Sequence, residues 1–118
     1  MEELFRQITD AALLVGIREE CVAETAYLGE SDRWLNITSR AEPTFFADDT
    51  AMADEYTYDL DMYIPVEENY RVLERKFRRE LEKRGFDNVI LEDQLYDDES
   101  EKRHLVFNAS ITVMREGE

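Results

Sequence analysis

Cysteine occurs once in this chain, histidine once and tryptophan once, and positive charge is scarce. The lone Cys21 has no internal partner, which excludes a disulfide framework and makes a cytosolic origin the expectation. His104 has no second ligand at a metal-binding spacing, so a surface role at the start of a strand is expected of it. No apolar run approaches the roughly 20 residues that span a bilayer. The acidic start Met1-Glu2-Glu3 lacks the basic region of a signal peptide. Phosphate-cradling and nucleophile-elbow motifs (G-x-G-x-x-G, the P-loop, G-x-S-x-G) are absent as well.

Fourteen Lys and Arg stand against 29 Asp and Glu, a net charge of −15 over 118 residues. Such a balance opposes phosphate-led binding of nucleic acid and adsorption to an anionic membrane. It suits a highly soluble protein, a partner with a basic surface, or a wall past which DNA slides without sticking. Hydrophobic residues make up 43% and aromatic residues 11% of the chain, enough for one globular domain over residues 1–118.

Periodicity supplies the elements. Glu2 to Val15 reads as an amphipathic helix stopped by Gly16. Glu20–Leu28 is expected as a short strand, followed by turn chemistry and then by Arg33–Arg40, pairing with it as a hairpin. From Glu55 to Ile64 the alternation is clear: Tyr56, Tyr58, Leu60, Met62 and Ile64 share one face, and Glu55, Thr57, Asp59 and Asp61 the other. Pro65 marks the change to helical spacing, with Val66, Tyr70, Leu73, Phe77 and Leu81 as the apolar stripe and Gly85 as the stop. Asn88–Tyr96 and Lys102–Met114 read as strands joined by the acidic turn Asp97–Glu101. The expected fold is α+β: a mostly antiparallel sheet of about five strands packed by two helices on one face, in the order α-β-β-β-α-β-β. Residues 115–118 are expected to form a flexible tail.

Residues 41–54 follow neither period and are expected as a long loop, a class that is usually functional or disordered. Within it Phe45 and Phe46 either plug the edge of the core or anchor a partner. Seven acids and no base lie between Glu42 and Asp61, and again between Asp87 and Glu101, whereas the helix from Val66 to Arg84 holds seven bases against five acids. Arg71, Arg75, Arg78 and Arg79 gather opposite the apolar stripe. One reading is dipole complementation with the i, i+4 pairs Glu67–Arg71, Glu74–Arg78 and Glu80–Arg84. The other is a basic face that meets an acidic loop of an identical neighbour, a head-to-tail contact that builds rings or filaments.

Acidic runs at Asp48-Asp49 and Asp97–Glu101 lack the alternation, glycine and closing Glu of a calcium loop. Asp59 and Asp61 share a strand face but have no convergent base or nucleophile, so no catalytic, cofactor or metal residue is expected.

The strand TYDLDMYIP, the helix ending in LEKRGF and the closing strand HLVFNASITV, in this element order, resemble the tail-terminator (tail-completion) proteins of long-tailed bacteriophages. That resemblance implies a virion protein, assembled in the host cytoplasm, that forms a hexameric ring on the head-proximal end of the tail tube. The ring would stop tube polymerisation and offer a docking surface to the head connector. Its partners would be itself, the tube protein and the connector protein, with DNA only passing through and no membrane involved. Phe45, Phe46, Asp48, Asp49, Arg71, Arg75, Arg78 and Arg79 are the candidate contact residues. The competing expectation is a small acidic inhibitor that mimics DNA, with Asp59 and Asp61 on a bare acidic face.

Overall fold

The computed structural model describes residues 2–115. Helix α1 spans Glu2–Leu13 and a single 3-10 turn covers Glu19–Cys21. The strands are β1 (Val22–Glu24), β2 (Trp34–Ala47), β3 (Thr50–Ile64), β4 (Asp87–Asp97) and β5 (Lys102–Met114), with helix α2 (Tyr70–Lys83) between β3 and β4. The fold is α+β, with one five-stranded sheet in the order β1-β2-β3-β5-β4. All neighbours are antiparallel except β1 and β2. β5 lies between β3 and β4, so the chain leaving β3 passes through α2 and skips one strand position before it returns.

Both helices end in the same way. Gly16 and Gly85 adopt left-handed φ values of 89° and 95°. The next amide reaches back five residues, Ile17 N to Ala12 O and Phe86 N to Leu81 O, each at 3.1 Å. A side chain at either glycine would be strained in that conformation, which is why glycine closes both helices. At the other end of α2 the Asn69 side chain accepts from the Arg71 amide, and Val66–Glu68 form a turn outside the helix. The helix is therefore shorter than its apolar stripe predicts. The Asn69 side chain caps the Arg71 amide and sets the start of the helix at Tyr70.

The core lies between the helices and one face of the sheet. Leu4, Ile8, Ala11, Ala12 and Val15 of the first segment face Leu73, Phe77 and Leu81 of α2 and the strand residues Leu35, Ile37, Tyr58, Leu60, Met62, Leu105 and Phe107. Phe77 meets Phe107 edge to face at 5.1 Å, and Tyr58 meets Phe86 at 5.9 Å. Such pairs contribute about 0.5–1.5 kcal/mol beyond their buried area.

Two expectations of strand layout are corrected. The first strand is three residues long, and it pairs with β2 in parallel, Val22 beside Leu35, rather than as a hairpin. Val22 is the one strong strand former there. A hydrogen bond of 2.7 Å from the Tyr27 amide to Asn36 Oδ1 turns the following segment back along β2. The expected loop 41–54 is instead the far half of a β2–β3 hairpin, closed by Asp48 and Asp49 with φ of 51° and 61°. Both turn residues lie in the left-handed region that tight hairpins require, and Asp tolerates it better than most side chains. Cross-strand pairing continues from Trp34↔Tyr63 to Ala47↔Thr50. A strand of 15 residues spans about 50 Å, and the molecule measures 53 × 26 × 22 Å.

Candidate functional site

Beyond Ile37 no residue of β2 is buried, and on β3 the residues before Ala53 are likewise outside the core. The distal hairpin is therefore an arm. β5 accompanies β3 only as far as Ala53↔Met114, so the last residues toward the turn form a two-stranded ribbon. A ribbon of that kind is marginal alone in water. At its end Phe45 is 62% and Phe46 65% exposed, which removes the reading that either ring plugs the core. Met52 and Met114 add two further exposed apolar side chains nearby. Phe45 also holds a φ of 52°, a left-handed conformation that costs a bulky residue of order 1–3 kcal/mol.

Arg115, just after β5, ties the arm to the sheet. Arg115 donates from Nε and from a guanidinium nitrogen to Asp54 at 3.0 and 2.8 Å, and its amide bonds to Met52 O at 2.9 Å. The side-chain hydrogen bond from Arg115 holds the Asp54 carboxyl below its ordinary value. Arg115 is thus not part of a free tail, and residues 116–118 of the expected tail lie outside the described residues.

Helix α2 presents Arg71, Arg75 and Arg79 to solvent, with Arg78 partly covered. Of the expected i, i+4 pairs, Glu74–Arg78 forms at 2.7 Å. Glu80 pairs with Lys83 at 3.0 Å, while Arg84 reaches across to Asp10 and Gln7 of α1. Glu67 precedes the helix, so the Glu67–Arg71 pair expected within it does not arise. Arg71, Arg75 and Arg79 remain as an exposed basic row on an acidic molecule. The eight candidate contact residues accordingly occupy two separate places, the hairpin tip and the outer face of α2.

The sheet face away from the helices carries a second constellation. Tyr27, Trp34, Tyr63 and His104 form a continuous stack, with centroid separations of 5.8, 4.9 and 4.3 Å. His104 Nε2 lies 2.7 Å from Asp61 Oδ1, and its side chain is only 18% exposed. His104 is therefore a partner in a packed row rather than a bare surface residue. Burial, with help from the Asp61 and Asp97 carboxylates, pushes the Tyr63 phenol up. Asp59 accepts from Asn108 at 2.9 Å and lies 3.6 Å from Arg40. The bare acidic face expected at Asp59 and Asp61 is thus a set of partnered carboxylates. In sequence the stack had one signal, Trp34 and His104 on the polar faces of their strands, but its assembly depends on register across β2, β3 and β5.

A recess of about 560 Å³ between α1 and the sheet is lined by Phe5, Ile37 and Tyr58 with Glu24, Thr25 and Ser39. A groove of about 360 Å³ lies between the end of α1 and the start of α2, bordered by Leu14, Val72, Leu73 and Lys76. Leu14 and Val72 fall off the apolar stripes of their segments, and that mismatch was the available sequence signal for an exposed apolar site. Among the described residues no group of three or more His, Cys, Asp and Glu side chains is placed to hold a metal ion, and no helix is long and apolar enough to cross a membrane. No protein family and no curated protein matches the chain.

Proposed function

We propose that this chain is a structural assembly protein, a tail terminator of a long-tailed phage that forms a ring on the head-proximal end of the tail tube. The observation that carries the reading is the arm: a hairpin held clear of the core that ends in two phenylalanines exposed by 62% and 65%. Large apolar side chains at the end of a marginal ribbon are explained by a surface that covers them on assembly. An acidic tip and a basic helix face on the same chain support self-association through unlike patches, a head-to-tail arrangement that gives a ring where its rotation closes. The net charge of −15 supports a lumen that DNA traverses without binding. In this role the chain performs no catalysis and takes no cofactor, and its remaining faces meet the tube protein and the head connector.

Light scattering over a range of concentrations tests it. The expected mass is six times the 14.0 kDa protomer, and Arg75→Glu/Arg79→Glu is expected to return the protein to protomer mass. A wild-type chain that stays monomeric both alone and when mixed with isolated tail tubes would overturn the reading.

A further inference from the structure

Resting on the ring reading, we infer that the α1–α2 groove is a socket for the hairpin tip of a second copy of this chain. The two surfaces match in chemistry. The groove offers Leu14 and Val72, exposed by 46% and 58%, with the Lys76 ammonium at its border and the exposed Arg75 and Arg79 farther along the same helix. The tip offers the Phe45 and Phe46 rings, followed after Ala47 by Asp48 and Asp49 at the turn. Apolar groups would fill the groove while the tip carboxylates meet the basic row, in a chain whose other surfaces are largely acidic. Glu68 also borders the groove, but Arg33 engages it with two hydrogen bonds of 3.1 Å and so neutralises it.

Geometry excludes the chain's own tip as the occupant. Arg33 immediately precedes β2, and Trp34 pairs with Tyr63 at the base of the hairpin, so its bond to Glu68 places the groove at that end of the sheet. The tip lies at the opposite end of β2 and β3, which together span most of the 53 Å long axis. A tip therefore cannot reach its own groove. Each copy presents a tip and a socket at opposite poles, and such a contact repeats head to tail, closing into a ring where its rotation allows. The strained φ at Phe45 fits a tip shaped for a partner, because such strain persists where a function requires it.

Disulfide trapping between two variants tests the pairing. Ala47→Cys marks the tip next to Phe46, and Val72→Cys marks the groove with another small apolar side chain. The wild-type chain, whose Cys21 is fully buried, is the control. Oxidation with diamide is expected to give about ten times more covalent dimer in the mixture than in either variant alone, with mass spectrometry finding one of each variant in it. Equal yields from Ala47→Cys alone would indicate tip-to-tip contact and overturn the socket. Assembly by light scattering with no mixed dimer would overturn the socket and leave the ring reading standing. A wild-type chain that is monomeric in solution would overturn the socket as well, and tube binding would then decide the ring reading separately.

Discussion

Phe77 is fully buried and lies edge-on against Phe107, so both apolar contact and ring geometry are lost if it is truncated. Phe77→Ala is expected to cost about 3–5 kcal/mol, read as a lower midpoint in denaturant unfolding. A loss under 1 kcal/mol would show that the core closes over the gap. Tyr58 reports the same core through its proton. Burial raises its phenol from 10.0 to about 12, with the neighbouring Tyr56 adding to the shift. The folded state favours the neutral ring, so the stability linked to Tyr58 is complete below pH 10 and is lost as pH rises toward 12. Ultraviolet titration should find Tyr58 and Tyr63 both ionising late, and Tyr58→Phe should remove the Tyr58 share of that late ionisation and reduce the alkaline loss of stability. Most of these buried positions could be read from period alone, because Leu60, Met62, Leu105 and Phe107 alternate strictly. The Asp61–His104 contact could not. It depends on Tyr63 lying opposite His104 across two strands distant in sequence.

At the level of elements, the hairpin turn is the most informative. Asp48 and Asp49 both sit at positive φ, where Asn-Gly is the preferred pair. Asp48→Asn/Asp49→Gly is expected to steady the ribbon by about 1 kcal/mol. Hydrogen exchange would then slow about fivefold at amides near the turn, while amides of β5 remain unchanged. The same substitution removes two tip charges, so self-association should weaken even though the arm is better ordered. A gain in both would argue against electrostatic docking. Residues 41–54 resisted reading as strand because alternation is a signature of burial, and this stretch has little to bury against. Its pairing rests on main-chain hydrogen bonds, which leave no mark on side-chain pattern. The direction of β1 is hidden for a related reason: three residues carry too little pattern to fix it. Its parallel pairing is seen only in the register with β2, where the Tyr27 amide also bonds Asn36.

For the whole molecule, the charge separation makes a prediction about salt. Exposed charges more than about 8 Å apart are screened at physiological ionic strength, and the range falls to about 3 Å at 1 M salt. Self-association through the tip and the α2 basic row should therefore weaken on going from 0.1 to 1 M sodium chloride, by roughly tenfold in dissociation constant if two close charge pairs contribute. Sedimentation across that range provides the measurement. Strengthening with salt would assign the contact to apolar groups alone.

The sequence by itself determined the two-layer α+β architecture, the helix stops at Gly16 and Gly85 and the inward faces of β3 and β5. It also set the acidic balance of the chain. Each of these is local: a period, a cap or a count of charges. Only the tertiary structure decided that 41–54 is an arm, that four rings stack across the open face, and that an apolar tip and an apolar groove lie at opposite poles. Those features arise from register and distance between segments far apart along the chain, which no local pattern encodes.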